Sequence, residues 1–270
     1  MKKSNFITLA IFVILIIGAV IVIIANHSKP KDGDKINSLS DETVSSQQND
    51  RVSSQQQENS EAESPQSSAE EPSVPKGEFT MSDALMIGDS RTVGISEYAQ
   101  MDGVDFFCDV GMSSYNIDDK KISVSSVGSV TLNELLEKKQ YGKIYIMLGI
   151  NEIGYKLDTI VKRFTDLTKT IQQKQPDAII FIEANLHVTK KRSDSDKVVN
   201  NEALNKFNTA ISELANNQTI FYLDINTVFD DATGNLDAEK TRDNTHIYAK
   251  YYREWAEWIV NQSKQLLGYE

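Results

Sequence analysis

The side chains best suited to acid–base chemistry are histidines, because imidazole exchanges a proton near neutral pH. The chain has three, His27, His187 and His246. His27 adjoins a long apolar segment, and we expect His187 to lie in a loop at the rim of a cleft. His246 follows Asp243 by three residues in RDNTHIYAKYY. A carboxylate this close can bond one ring nitrogen and leave the other to accept a proton, so we predict that His246 is a base oriented by Asp243.

Three further residues with suitable groups follow apolar runs. Ser90 ends a Gly-Asp-Ser motif and precedes a candidate helix, which would expose its hydroxyl at the helix N-terminus. Gly111 follows the next apolar run, and Asn151 follows another in Gly-Ile-Asn, where it places an amide donor. Each motif alone is typical of a turn. Their joint occurrence at the ends of apolar runs favours a single site.

The elements that must position these residues form an alternating pattern. Five apolar runs are candidate strands: Ala84–Gly88, Val104–Val110, Lys143–Gly149, Ala178–Ala184 and Thr219–Ile225. Amphipathic segments are candidate helices: Thr131–Lys139, Leu157–Gln173, Val198–Ala215 and Tyr248–Leu266. This alternation predicts a parallel sheet covered by helices on both faces. Functional groups collect at the carboxyl ends of such strands, which is where Ser90, Gly111 and Asn151 lie.

The four motifs carry a family resemblance over residues 82–250. Ser90 in GDS, Gly111 in DVGMS, Asn151 in GIN and His246 in DNTH match, in order, the residues that name the SGNH hydrolases, a GDSL-type serine esterase family. The resemblance implies a flavodoxin-like three-layer α/β/α fold with a parallel sheet. It also implies that Ser90 is the nucleophile, His246 the base and Asp243 its orienting carboxylate. The oxyanion hole would comprise the backbone N–H groups of Ser90 and Gly111 and the side-chain amide of Asn151.

Two residues beside these motifs depart from the common family pattern. GDSL reads GDSR because of Arg91, and GxND reads GINE because of Glu152. We expect Arg91 at the surface or in a helix-capping role, with a substrate contact as the alternative. We expect Glu152 in a structural hydrogen-bond network.

Other motifs and the composition limit the possible cofactors and partners. The sequence contains no GxSxG, HExxH, P-loop or GxGxxG motif. The acidic pairs at 118–119 and 230–231 are interpreted as solvated turns rather than as a metal site. We therefore expect no metal and no cofactor. Binding to nucleic acid requires clustered Lys and Arg, whereas the net charge is −11, so we expect no nucleic-acid partner.

Cys108 is the only cysteine, which excludes an intrachain disulfide, and its apolar neighbours predict a small buried side chain. Nothing indicates the oligomeric state.

Two N-terminal segments precede the domain that we expect at residues 78–270. Phe6–Ala25 is uncharged and apolar, and about 20 such residues make a helix of about 30 Å, the thickness of a bilayer core. Because no signal-cleavage motif follows, residues 1–25 predict an uncleaved anchor, with Lys2 and Lys3 on the cytoplasmic side. Residues 26–77 are rich in Ser, Gln and Glu, which predicts a disordered linker. The domain would then lie outside the cytoplasm, held to the cell membrane by one span.

Together these features predict a membrane-anchored serine hydrolase that cleaves ester bonds. Location and family favour O-acetyl or short acyl groups on cell-envelope carbohydrate, or a small ester, as the substrate. Two alternatives remain open at this point. An O-acyltransferase would use the same triad with a sugar hydroxyl in place of water, and a non-catalytic carbohydrate-binding protein would keep only the fold.

Overall fold

The computed structural model describes residues 78–269 of the chain. The predicted anchor at 1–25, the predicted linker at 26–77 and His27 lie outside these residues. The strands of the described part are β1 Ala84–Gly88, β2 Asp105–Cys108, β3 Ile122–Val124, β4 Gly128–Val130, β5 Lys143–Met147, β6 Ile179–Glu183 and β7 Ile220–Leu223. Its α-helices are α1 Ser90–Tyr98, α2 Leu132–Lys138, α3 Leu157–Lys174, α4 Lys190–Ser195, α5 Asn201–Ser212, α6 Asn226–Phe229 and α7 Tyr252–Leu266. None of these helices is long and apolar enough to cross a bilayer.

The five predicted strands are confirmed and form one parallel sheet in the order β2-β1-β5-β6-β7. Among these five strands alone, that is the flavodoxin-like order 2-1-3-4-5. After β1, the chain adds β2 on one side of β1 and the later strands β5, β6 and β7 on the other side. In open α/β sheets, ligands bind in the crevice at such a switch point, which lies here between β1 and β5. Ser90 follows β1 and Asn151 follows β5, so both lie beside this crevice.

Strand residues alternate between two apolar cores because successive side chains point to opposite faces of a sheet. Ile87 and Ile146 lie in a core shared with Leu135, Phe164 and Phe207 of helices α2, α3 and α5. The intervening strand residues belong to a second core, with α1 and α7. Nearly all positions of the central strands are buried, as expected for strands covered on both faces. The predicted parallel-sheet α/β fold with three layers is therefore confirmed.

Some elements differ from the sequence prediction. The short antiparallel hairpin of β3 and β4 was not predicted, and α4 forms in the segment after His187, where no helix was predicted. Both are short and mainly polar or exposed, so they lack the apolar periodicity that identifies an element in a sequence. Cys108, expected to be buried, is only partly buried, at the end of an edge strand. Its burial raises the pKa of the thiol to about 11, which makes it a poor nucleophile.

Candidate active site

Ser90 is held at a tight junction between β1 and α1. Gly88 ends the strand, and a side-chain Cβ there would lie 1.9 Å from the Thr92 hydroxyl and 2.8 Å from the Met147 carbonyl, so only glycine fits. Asp89 caps the helix by accepting the Arg91 backbone N–H at 3.0 Å. Ser90 is the first residue of α1, and its own N–H has no acceptor within residues 78–269. The strand-to-helix turn therefore presents both the Ser90 hydroxyl and its backbone N–H.

Ser90, His246 and Asp243 form a continuous hydrogen-bonded chain. Nε2 of His246 lies 2.9 Å from Oγ of Ser90, and Nδ1 lies 2.8 Å from Oδ2 of Asp243. With the ring proton on Nδ1, facing the carboxylate, Nε2 is left to accept the serine proton. The structure thus brings together three residues from opposite ends of the domain, 156 positions apart at the widest. Their roles in catalysis stay a prediction.

The loop that carries the histidine is shaped by the Asp243 carboxylate. Oδ1 of Asp243 accepts the backbone N–H groups of Thr245 and His246 at 2.9 and 2.8 Å. Asn244 between them adopts a positive φ of 68°, a conformation that Asn tolerates better than most residues. Partial burial acts to raise the pKa of Asp243, but the hydrogen bonds from the His246 backbone and ring outweigh it and hold the pKa below its ordinary value. The carboxylate therefore stays ionised beside the histidine at neutral pH.

Gly111 lies in the turn after β2, at φ 73°. A Cβ on this residue would meet nothing within 4 Å, so backbone conformation rather than lack of space favours glycine here. The Gly111 N–H has no acceptor in the described part of the chain. Its carbonyl accepts the Asn116 side-chain amide at 3.1 Å, which ties the turn to the segment that follows.

Asn151 lies in the 3₁₀ turn after β5 and reaches across to the same segment. Its Nδ2 donates to the Met112 carbonyl at 2.9 Å. An amide nitrogen carries two N–H groups, and the second finds no acceptor within residues 78–269. The structure therefore places Asn151 beside the turn of Gly111, with one N–H fixing the amide and the other free.

Glu152 is buried in the structural role that the sequence predicted. Both of its carboxylate oxygens lie 3.2 Å from the Ser114 backbone N–H. Burial raises the pKa of Glu152, and the hydrogen bonds from Ser114 oppose that effect. The contact joins the segment after β2 to the turn after β5, which are the two segments that carry Gly111 and Asn151.

Arg91 is not at the surface, and the expectation of a surface role is wrong. Only 1% of Arg91 is exposed, and its guanidinium binds both oxygens of the capping Asp89, at 2.9 and 2.5 Å. Its Nη2 also donates to the side chain of Asn185 at 2.8 Å. Asn185 in turn accepts the Ile150 N–H and donates to the Leu148 carbonyl. Arg91 is thus part of a buried polar network beneath Ser90.

Asn185 is the structural residue that sequence reasoning missed. It is fully buried just after β6 and joins the ends of β1, β5 and β6 through its bonds to Arg91, Leu148 and Ile150. A signal was available, because a polar residue directly after a buried strand lies at the same edge as Ser90 and Asn151. Its partners, however, are distant in sequence and could not be read from it.

His187 does not lie at the cleft rim, so that expectation is also wrong. It is 7% exposed, with Nδ1 2.7 Å from Asp230 and Nε2 2.8 Å from Asn205. Burial acts to lower the pKa of His187, but the hydrogen bond and charge of Asp230 outweigh it and raise the pKa. Asp230, interpreted from sequence as a solvated turn residue, is instead the partner of this ring. Both nitrogens are occupied, so His187 holds loops together and does not face a substrate.

A surface cleft of about 500 Å³ opens directly beside Ser90 and His246. Its other walls come from the C-terminal half of α1, from the turn before Gly111 and from residues 242–249. Three of the large apolar side chains that are exposed in the described part of the chain line this cleft: Tyr98, Val110 and Tyr248. A concave site with reactive polar groups and apolar walls is what a substrate-binding site requires.

A family model and several solved structures are similar to this chain. Residues 86–254 match the model of the GDSL-like Lipase/Acylhydrolase family. Similar solved structures include a candidate platelet activating factor from Streptococcus pneumoniae, with 18% identity, TM-score 0.51, and coverage of 67% of this chain and 83% of that one. A GDSL-like lipase from Bacteroides thetaiotaomicron has 13% identity, TM-score 0.50 and coverage of 68% and 87%. A family two carbohydrate esterase from Clostridium thermocellum has 13% identity, TM-score 0.50 and coverage of 69% and 64%. No curated protein sequence gives a significant match.

Proposed function

The chain belongs to the GDSL-like lipase/acylhydrolase family and is a carboxylic ester hydrolase, and from this premise we propose that it acts through an acyl-enzyme on Ser90. The observation that carries the proposal is the hydrogen-bonded chain from Ser90 through His246 to Asp243. A serine hydroxyl is a weak nucleophile until a base takes its proton, and an oriented imidazole supplies that base.

The reaction has two halves. As Oγ of Ser90 bonds to the ester carbonyl carbon, its proton passes to Nε2 of His246. The tetrahedral intermediate collapses when His246 returns this proton to the leaving alcohol oxygen, which leaves Ser90 acylated. A water molecule then gives a proton to His246 and attacks the acyl carbon. Collapse of this second intermediate restores the Ser90 hydroxyl and releases the acid.

The oxyanion would be stabilised by three unpaired N–H groups. They are the backbone N–H of Ser90, the backbone N–H of Gly111 and the second N–H of the Asn151 amide, and none has an acceptor within residues 78–269. Donors that are already fixed and unpaired cost little reorganisation when charge develops on the oxygen, and losing one typically lowers the rate by about 10²–10³-fold.

Hydrolysis is favoured over transfer to another hydroxyl because solvent reaches the base. The side chain of His246 is 38% exposed and that of Asp243 is 55% exposed. An acyltransferase has to keep water away from its acyl-enzyme, and a base that lies at an open cleft does not do so.

The proposed substrates are O-acetyl or short acyl esters of cell-envelope carbohydrate. Two features support this class: the sequence predicts an anchor that would hold the domain outside the cytoplasm, and one solved structure of the same fold is a carbohydrate esterase. If residues 1–25 are an uncleaved anchor, the full-length protein should stay in the membrane fraction after a high-salt wash. A mature N-terminus near Asn26 in the medium would contradict the anchor.

Labelling with a fluorophosphonate probe tests the nucleophile directly. The wild-type protein should be labelled at Ser90, and Ser90→Ala should abolish both labelling and hydrolysis of a small acetyl ester. His246→Asn should slow labelling while the protein stays folded, because the serine loses its base. Hydrolysis retained by a folded Ser90→Ala protein would contradict the acyl-enzyme mechanism.

A further inference from the structure

The direction in which the leaving alcohol must point identifies one wall of the site. Two of the three proposed oxyanion donors, Gly111 and Asn151, lie on the turns after β2 and β5, so the carbonyl oxygen points toward these turns. The leaving oxygen must instead face Nε2 of His246, which gives it a proton. The alcohol part of the substrate therefore occupies the cleft on the His246 side, between α1 and residues 242–249.

Two tyrosines form that part of the cleft. Tyr98 and Tyr248 are 50% and 40% exposed, and both line the cleft beside Ser90. Large apolar groups exposed together in a concave site commonly mark a binding surface. A tyrosine suits a partly wet site, since its ring provides an apolar face while its hydroxyl stays in water.

The Tyr98 ring is held in place from below. It stacks on Tyr252 with ring centroids 5.8 Å apart, and Tyr252 stacks on Trp255 at 6.1 Å. Gly94 makes this arrangement possible, because a Cβ there would lie 2.2 Å from the Tyr252 ring. The exposed ring is thus the outermost of a stacked series anchored in the core, so little conformational entropy would be lost when a ligand binds to it.

The charged groups of the same cleft indicate what kind of alcohol fits. Glu97 and Arg242 line it, and neither side chain has a salt-bridge or hydrogen-bond partner within residues 78–269. Covering these charges with an alkyl chain would remove them from water without compensation. A sugar ring has an apolar C–H face for an aromatic ring and hydroxyls that can bond a carboxylate and a guanidinium.

We propose that Tyr98 and Tyr248 form a sugar-binding subsite for the leaving alcohol, so that the substrate is an ester of a carbohydrate rather than of a lipid. The inference rests on the proposed function, since the position of the alcohol follows from the role given to His246. Glu97 and Arg242 would bond the sugar hydroxyls at its edges.

Kinetic selectivity in the full-length protein tests the subsite. The readout is kcat/KM for an O-acetylated oligosaccharide divided by kcat/KM for ethyl acetate, whose alcohol is too small to span the subsite. Tyr98→Ala and Tyr248→Ala should each lower this ratio by about tenfold, as expected when stacking worth about 1.4 kcal/mol is lost. Tyr98→Phe should keep the ratio. The matched control is Tyr155→Ala, which removes an exposed tyrosine that does not line this cleft and should leave the ratio unchanged.

Direct binding separates a failure of the subsite from a failure of the catalytic proposal. Ser90→Ala protein should bind the unacetylated oligosaccharide in calorimetry, and adding Tyr98→Ala should weaken that binding about tenfold. An unchanged ratio in both alanine variants, or no oligosaccharide binding to the Ser90→Ala protein, would overturn the subsite. A wild-type kcat/KM that is higher for a long-chain lipid ester than for the sugar ester would also overturn it. If Ser90→Ala hydrolyses esters like wild type, the catalytic proposal is the one that fails.

Discussion

Replacing Asn151 by alanine distinguishes catalysis from packing, because the structure gives its amide two separable tasks. One N–H donates to the Met112 carbonyl at 2.9 Å, and the other is free to meet the oxyanion. Loss of an ordinary hydrogen bond costs about 0.5–1.5 kcal/mol of stability. Loss of an oxyanion donor costs about 2.7–4 kcal/mol, but only in the transition state.

The two tasks predict different measurements. Asn151→Ala should lower kcat on a small acetyl ester by about 10²-fold or more with little change in KM. The melting temperature should fall by only about 2–4 °C per kcal/mol of lost stability in a domain of this size. Labelling of Ser90 by a fluorophosphonate should slow as well, because phosphonylation develops a similar negative oxygen. Asn151→Asp keeps the size but removes both N–H groups, so it should lose a similar or larger part of kcat.

A neighbouring asparagine provides the control. Asn116 donates its side-chain amide to the Gly111 carbonyl at 3.1 Å and accepts the Ser113 backbone N–H at 2.9 Å, so Asn116→Ala removes side-chain hydrogen bonds from the same turn without removing an oxyanion donor. We expect this variant to show the small loss of stability and at most a few-fold change in kcat. Wild-type kcat in folded Asn151→Ala, or an equal loss of kcat in both variants, would refute the oxyanion role.

Further predictions concern the histidines and the buried charges. His246→Ala should lower kcat by about 10²–10⁴-fold, whereas His187→Ala should mainly lower thermal stability and keep turnover per folded molecule; equal loss of turnover would contradict the choice of base. Burial raises the pKa of Glu183 to about 8 from an ordinary value of 4.5, so the folded state keeps a proton that the unfolded chain releases, and wild-type stability should fall as pH rises from about 4.5 to 8. In urea denaturation at several pH values, the free energy of unfolding of Glu183→Gln should not fall in this way between pH 4.5 and 8. The same fall in the variant as in the wild type would contradict Glu183 as its source. Arg91→Met leaves the buried Asp89 carboxylate without its charge partner, so the free energy of unfolding measured in urea should fall by about 3–5 kcal/mol. Adding Asp89→Asn should recover part of this loss. A fall of less than about 1 kcal/mol would contradict the prediction.

Much of the fold and the core of the site could be predicted from the sequence because they depend on local patterns. Apolar runs identified the five sheet strands, since burial on both faces leaves few polar positions. Asp243 and His246 are three residues apart, so their contact forms within one loop and hardly depends on the rest of the fold. Ser90 and Asn151 could be placed at one edge because parallel strands end together.

Only the tertiary structure decided which polar side chains are buried and what they bind. Apolar periodicity indicates the inward face of a strand or helix, but a charged side chain is buried only where distant partners satisfy it. Arg91 was expected at the surface or in a helix-capping role, and it is buried against the capping Asp89 and against Asn185, 94 residues away. His187 was expected at the cleft rim, and its partner Asp230 lies 43 residues away. Tyr98 stands at the end of α1, and only the folding of the 242–249 loop beside it places Tyr248 in the same cleft.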